Sequence, residues 1–445
     1  MRVTFVMPAV GRKNNQTYVN SWKMEPLALA VLAGLTPMDI EVDFFDDRLE
    51  AIPYEHPTDL VAMNVETYTA QRAYQISQQF RRRGVPVILG GYHPTLFPGE
   101  AGMEANSILI GEGEDVWAQI LKDSQERRLR KVYKSQVRPI LNGVKPRRDI
   151  FKGKKYLPIA LIESARGCKF NCNFCSVTSF FEHTYRPRPI KEIVKEIQDM
   201  KVKRIFFVDD NITCDFKRAK ELFKALIPLK IQWFSQGSIN MAEDVEMLSL
   251  MKQSGCLGVL IGFESLNHEN LMLMGKQWNT KESYEEAIRK FRDSGIVIYA
   301  TFVFGYDRDD LDSIKRTLAF AIQQKFFLAA FNHLVPFPGT PLYEEMKQGG
   351  RLLSERWWLD PNYKFGDVAF KPKLMTPQEL SDGCRKAREE FYSYLSIGKR
   401  LDLKSNCSGL GMTLNYLIYN LFSKKESMRR QGLPLGQGLD GDNKK

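Results

Sequence analysis

Glu163-Ser-Ala-Arg-Gly-Cys168-Lys-Phe-Asn-Cys172-Asn-Phe-Cys175-Ser-Val177 sets three cysteines at a C-x3-C-x2-C spacing, and the rest of the chain is organised around this stretch. Thiolate is the soft ligand that holds iron–sulfur clusters, and a tight loop brings three sulfurs to three corners of a four-iron, four-sulfur cube. No fourth cysteine lies nearby in the sequence, which leaves one iron open to an outside ligand. The competing reading is a zinc knuckle or buried apolar cysteines, but zinc usually takes four ligands and paired C-x2-C spacings.

The stretch resembles the signature of the radical S-adenosylmethionine (radical SAM) enzymes, with Phe174 as the aromatic usual just before the last cysteine. The resemblance implies that Cys168, Cys172 and Cys175 ligate three irons of a 4Fe-4S cluster while the amine and carboxylate of SAM chelate the fourth. One electron from the reduced cluster then cleaves SAM to methionine and a 5′-deoxyadenosyl radical. A flavodoxin, ferredoxin or reductase is the expected electron donor.

Downstream, residues 155–345 read as repeated beta–alpha units. Ile159–Ser164, Arg204–Val208, Gln232–Ser238, Val259–Phe263, Val297–Phe304 and Ala329–Val335 are strand-like, with helical runs such as Ile190–Met200 and Arg218–Leu226 between them. Six such units predict a partial (β/α)6 barrel with its chemistry at the carboxyl ends of the strands. By the resemblance, Asp209 and Asp210 face the methionyl amine, a charge-assisted pair. Ser235 and Gln236 reach the ribose or carboxylate, Gly262 admits the adenosyl group, Glu264 accepts from a ribose hydroxyl, and Phe302–Gly305 pack by adenine. Read singly, a glycine or acid at a strand end is more often a turn device. By the resemblance, Tyr185-Arg186-Pro187-Arg188 places a basic residue near the SAM carboxylate or the corrin, while the segment reads equally well as a helix entry. His333 ends the last strand and is a candidate acid or base for the substrate, against a structural hydrogen-bonding role.

Upstream, residues 1–125 read as a doubly wound Rossmann-like domain. Val3–Met7, Ile40–Phe45, Leu60–Val65, Val85–Leu89 and Ser107–Ile110 are apolar strands, alternating with helices at Pro26–Leu35 and Gln71–Arg83. Ligands of such sheets bind beyond the carboxyl ends, where glycines admit a bulky cofactor. The loops at Thr67, Gly90-Gly91-Tyr-His93 and Gly111-Glu-Gly-Glu114 resemble the cobalamin-binding domain that precedes many radical SAM enzymes. That resemblance implies that Thr67, Gly90, Gly91 and Gly111 surround the dimethylbenzimidazole tail and corrin edge. The first loop, Pro8-Ala-Val-Gly-Arg-Lys-Asn, lacks the D-x-H-x-x-G motif, so cobalt has no expected protein ligand. His93 reads as a polar loop residue rather than a ligand. A domain that keeps the shape without corrin is the alternative.

Residues 346–430 read as a mainly helical cap, with Thr376 and Glu379 forming a capping box for a helix to about Tyr394. This part resembles the tail of a subfamily that includes hopanoid methylases. Met412–Phe422 is apolar and followed by Lys424, Lys425, Arg429 and Arg430, so it is either an interfacial membrane helix or a helix packed on the cap. Residues 431–445, glycine-rich and polar, read as a disordered tail.

Length and composition agree. A chain of 445 residues suggests two or three domains at about 100–200 residues each. Seven cysteines, four of them scattered (Cys214, Cys256, Cys384, Cys407), do not form a disulfide framework. With no signal-like start and no span-length apolar run, a reducing cytoplasm is expected. The net charge of +11 concentrates in residues 126–154, read as a basic linker. Its two aromatics, Tyr133 and Phe151, do not alternate with the charge as in a nucleic-acid track, so no nucleic acid partner is expected. The whole reads as an α/β enzyme that performs cobalamin-dependent C-methylation of an unactivated carbon on a small-molecule, lipid or isoprenoid substrate, with possible peripheral membrane contact. The alternative is a non-methylating radical SAM rearrangement, oxidation or carbon–carbon bond formation.

Overall fold

The computed structural model describes residues 1–276 and 281–439. Its first sheet has six parallel strands: β1 (Arg2–Met7), β2 (Glu41–Asp46), β3 (Leu60–Asn64), β4 (Val87–Gly90), β5 (Ser107–Ile110) and β6 (Val132–Lys134). The order is β2-β1-β3-β4-β5-β6. Val3, Phe5 and Val6 on β1 are all fully buried, as a central parallel strand covered on both faces must be. One face packs on Leu29 and Trp117 of the helices Leu27–Leu35 and Trp117–Gln125. The other packs on the helix Ala70–Arg82 and on Trp357 and Trp358 from far along the chain.

The sixth strand corrects the reading of residues 126–154 as a linker. Tyr133, flanked by exposed Val132 and Lys134, is its one buried side chain, too weak an apolar signal to read from the sequence. Other cations of this region are anchors. Arg148 bonds Glu25 at 2.8 Å, the Leu161 carbonyl and Glu196, tying the first sheet to the second.

The second sheet runs in chain order, all parallel: Ala160–Ile162, Arg204–Phe207, Gln232–Gly237, Cys256–Glu264, Val297–Phe304 and Leu328–His333. Its first and last strands are edges, so the barrel is open. Helices capped by Asp215, Asp244 and Asp310 cover its outside. Side chains alternate along each strand. Ile205, Phe207, Trp233, Val259, Ile261, Phe263, Ala300, Phe302, Ala329 and Phe331 fill the layer under the helices.

The helix Pro377–Phe391 begins at the Thr376–Glu379 capping box and lies on the last barrel strand, where the Tyr392 hydroxyl donates to the Ala329 carbonyl at 2.9 Å. The helix Leu410–Arg430 buries Tyr416 and Asn420 against Phe327, Ile397 and Arg400 and turns Leu410, Leu414, Leu417, Ile418 and Leu421 outward. Among the described residues no helix is long and apolar enough to cross a membrane.

Residues 431–439 are not a disordered tail. Leu433–Pro434 pairs antiparallel with Lys364–Phe365, Leu435 is buried, and the Gly436 N–H donates to the Val10 carbonyl at 2.7 Å. The glycines that suggested disorder instead let this strap approach other backbone closely: a Cβ on Gly438 would meet the Arg12 carbonyl oxygen at 2.0 Å. The remainder of the expected tail, 440–445, lies outside the described residues.

Candidate functional site

The cysteine loop leaves the short strand Ala165–Arg166 and ends at the helix Ser176–Phe181. It is pinned from several sides. The Gly167 N–H donates to Asp210 Oδ2 at 2.8 Å, the Tyr306 hydroxyl to Asn173 Oδ1 at 2.8 Å, and the Leu342 N–H to the Asn173 carbonyl at 3.1 Å. Residues from the second, fifth and sixth barrel strand ends thus fix one loop above the barrel mouth. Burial pushes the Cys172 thiol up to about 12 and raises Cys175. Cys168 hydrogen-bonds Cys214, which raises the first and lowers the second. Cys214 also accepts from the Lys169 N–H at 3.3 Å; its distance along the chain hid this neighbour from the sequence reading.

Beside the loop, Glu264 and Lys276 form a buried pair at 2.6 Å. Glu264 holds a left-handed φ of +65°, a costly conformation for a residue other than glycine, at the point where the register between the fourth and fifth strands shifts. A Cβ on Gly262 would fall 2.2 Å from Glu264 Oε1. Burial opposes the Lys276 charge, but Glu264 and the Cys172 sulfur hold its pKa above the ordinary value. Lys276 was not singled out from the sequence, where it follows a strand by a dozen residues with no motif.

The barrel turns several expected site residues away from its mouth. Asp209 is buried, with its carboxylate taken by the Ser164 N–H at 2.6 Å and the Ser164 hydroxyl. Burial pushes it up to about 7 and Asp210 up to about 6. Ser235 donates to the Phe207 carbonyl at 3.0 Å within the packed layer, whereas Gln236 lies on the opposite, inner face. Phe302 sits in the core between Phe263 and Phe331.

Two cavities flank the loop. The first, about 300 Å³ and partly open to solvent, lies beyond the carboxyl ends of β3, β4 and β5. Gly90, Gly91 and Gly111 line it from the sheet, and Glu163, Arg166 and Asp210 from the barrel. Gly91 has φ +102°, and a Cβ there would meet Asn64 Oδ1 at 2.3 Å. Arg166 bridges the two sides, bonding Glu112 and Glu163 at 2.9 Å and Glu114 at 2.5 Å. Burial works against its charge, yet these acids hold its pKa well above the usual guanidinium value. Thr67 does not reach this cavity; it faces His93 Nδ1 at 3.3 Å. His93 is buried among Tyr74 and Glu100, and Trp358 of the C-terminal part donates to the same Glu100 at 2.9 Å. Arg186 pairs with Glu112 at 2.6 Å, and Arg188 with Glu196 at 2.9 Å.

The second cavity, about 350 Å³, lies between the loop, the last two barrel strands and the cap. Phe174 and His333 line it, with Tyr68, Phe337, Arg388 and Arg430. His333 Nδ1 lies 2.9 Å from the Leu334 carbonyl, which only accepts, so Nδ1 carries the proton. Burial, helped by Arg388, lowers its pKa to about 4, so the ring is neutral at pH 7.

Fold and site together define an α/β enzyme with a cysteine loop at the mouth of an open barrel, fronted by a doubly wound sheet. The family model described as the radical SAM superfamily matches residues 162–321. Bacteriochlorophyllide d C-12(1)-methyltransferase of Chlorobaculum tepidum is 31% identical over 418 residues, 90% of this chain and 89% of that protein. Bacteriochlorophyllide d C-8(2)-methyltransferase of the same organism is 30% identical, over 83% of this chain and 86% of that one. The solved structure of the cobalamin-dependent S-adenosylmethionine radical enzyme OxsB, with aqua-cobalamin and S-adenosylmethionine bound, matches with a TM-score of 0.66 at 15% identity, over 96% of this chain and 72% of that one, and shares the fold. The chain belongs to the radical SAM superfamily and is a radical SAM enzyme, using a 4Fe-4S cluster and SAM.

Proposed function

We propose that the protein is a cobalamin-dependent C-methyltransferase acting at an unactivated carbon. The observation that carries this reading is the shared cavity: the glycine loops of the first sheet and the barrel side of the cysteine loop line one space. A cofactor on the sheet would therefore face the SAM site directly. The lining fits a broad macrocycle, with small or apolar Ala28, Gly90, Gly91 and Leu109 below and polar Asn64 and Glu112 for amide edges. Among the described residues no histidine lines the cavity.

Cys168, Cys172 and Cys175 would hold the cluster, whose iron would deprotonate thiols that burial otherwise keeps protonated. When bound, the cluster supplies the electron that cleaves SAM, and cobalamin supplies the methyl carrier. The chain's own part is to hold and shield. The pinned loop fixes the cluster corner, Glu264 and Lys276 offer SAM an acceptor and a cation, and Asp210 holds the Gly167 end of the loop. Asp209 and Ser235 brace the barrel. The cavity at Phe174 and His333 is the substrate chamber, and His333 would present a neutral Nε2 that accepts a hydrogen bond from the substrate. The methyltransferase names of the relatives support the reaction class.

We place the enzyme in the cytoplasm, served by a small-molecule substrate and a flavodoxin, ferredoxin or reductase as donor. The outward leucines of the helix Leu410–Arg430, with Lys424 and Lys425 after them, support contact with a membrane surface. Anaerobic reconstitution with iron, sulfide and hydroxocobalamin, then incubation with SAM and a chemical reductant, tests the function, read as iron and cobalt content, 5′-deoxyadenosine and S-adenosylhomocysteine. All four together support it. Iron and 5′-deoxyadenosine without retained cobalt would replace it with a non-methylating radical SAM reaction.

A further inference from the structure

The second cavity has an unusual charge. Its walls are largely apolar, with Tyr68, Phe174, Val303, Phe337 and Phe365 around it, yet two guanidinium groups line it, from helices 377–391 and 410–430. Among the described residues its lining contains no aspartate or glutamate, and neither Arg388 nor Arg430 has an ion-pair partner.

Their existing partners are neutral. Arg388 donates to the Phe331 carbonyl at 2.6 Å and to Gln431 Oε1 at 2.8 Å. Arg430 donates to the Ser21 hydroxyl, lies 5.3 Å above the Trp22 ring, and keeps a buried Nε with no hydrogen-bond partner. The nearby acids are committed elsewhere. Glu389, whose charge favours that of Arg388, pairs with Arg385 at 3.0 Å, and Glu426 accepts from the Ser21 N–H at 3.0 Å and faces Arg429 at 3.5 Å. Burial, and the nearby Arg430 guanidinium, lower the Arg388 pKa. Two half-buried cations without a counter-charge cost stability, and a fold that holds them over an apolar chamber gains most when a ligand brings the missing anion.

We infer that the substrate carries an oxyanion, a carboxylate or a phosphate, on a flat apolar body, with Arg388 and Arg430 binding the oxyanion and Tyr68, Phe174 and Phe337 flanking the body. The inference rests on reading this cavity as the substrate chamber. Guanidinium is suited to the task because its fork meets two oxygens at once, while the aromatic walls accept a planar body. The oxyanion would sit at the cap end and leave the opposite end of the molecule toward Phe174 and the cysteine loop. The arginines are positioning groups, which set which carbon meets the reacting centre.

Fluorescence titration of the reconstituted full chain under anaerobic conditions tests this, with 1-pyrenebutyrate, its methyl ester and 1-pyrenemethyl phosphate as probes. The acid or the phosphate binds at least about tenfold more tightly than the ester, the weight of one charge-assisted hydrogen bond. Whichever anion binds more tightly names the group. Arg388→Gln and Arg430→Gln each remove most of that preference, and Arg388→Lys keeps part of it. Equal binding of acid, phosphate and ester by the wild-type chain overturns the inference without any variant having to fold. So does a preference that survives both glutamine substitutions. Iron content and 5′-deoxyadenosine are read on the same sample. If these are present and the anion preference is absent, the inference falls and the proposed function stands. If the preference is present without 5′-deoxyadenosine, the anion site stands and the proposed function falls.

Discussion

The chain builds two six-stranded parallel sheets and uses them differently. The first stays open and reverses its strand order around β1, so its ligand space lies beyond the strand ends and is reached by loops. The second keeps chain order and curls, so its space is inside and is reached by alternate side chains. In the open sheet a site residue needs only to sit in the right loop, as Gly90, Gly91 and Gly111 do. In the curled sheet, position along the strand is not enough. Asp209 and Asp210 are neighbours at one strand end, yet the first is spent on Ser164 and the second holds the cysteine loop.

The sharpest test of this contrast separates the two sites. Cys168→Ala, Cys172→Ala or Cys175→Ala should cut 5′-deoxyadenosine formation at least about a thousandfold, to the uncatalysed background, while cobalt retained on the first sheet stays unchanged. Iron and cobalt analysis of one preparation checks both. Loss of both metals together would mean that the sheets do not hold their cofactors independently.

The second test concerns His333 and pH. Its folded pKa of about 4 lies below the ordinary 6.5, so the neutral ring is favoured on folding. The stability it contributes is fully present above pH 6.5 and is lost as pH falls toward 4, by up to about 3 kcal/mol. Denaturant unfolding at pH 7 and pH 4.5 should show this loss in the wild-type chain and much less of it in His333→Gln. An equal loss in both would assign the acid sensitivity to other groups.

Gly91→Val tests the open sheet. The side chain would meet Asn64 Oδ1 and the Val65 carbonyl oxygen at a left-handed φ. Cobalamin retention should fall by about ten- to thirtyfold while cluster iron persists, measured by absorbance after desalting. The smallest effect tests the curled one. Asp209→Asn should lower unfolding stability by about 1–2 kcal/mol and leave the KM for SAM unchanged. Asp210→Asn should do the reverse, raising KM about fivefold with little change in stability. Equal effects of the two substitutions would remove the argument from side-chain alternation.

Much of this architecture is legible in the sequence because it is written locally. Apolar runs such as Val3–Met7 and Val297–Phe304 can be buried only one way, and the Thr376–Glu379 box states where its helix begins. The cysteine spacing marks the centre of the molecule for the same reason. What was hidden depends on neighbours far along the chain. Nothing near Val132–Lys134 announces a strand, since its stability comes from the edge of β5. Lys276 acquires meaning only beside Glu264 and Cys172, and Arg388 and Arg430 only when two cap helices bring them to one chamber. The glycines of 431–439 read as looseness because composition does not say whether a missing side chain serves freedom or close contact.

The strap has a consequence in time. Gly436 bonds to Val10, 426 residues earlier, and Gln431 of the same strap holds Arg388. At the usual pace of protein synthesis, about 5–20 residues per second, Val10 leaves the ribosome roughly 20 to 85 seconds before its partner exists. The last barrel strand ends at His333, so only for about the final hundred residues, roughly 5 to 20 seconds, do both sheets have every strand while the chamber still lacks the wall that Gln431 supplies. The wall that Gln431 gives the chamber is thus added after both sheets can form, as a late step of assembly.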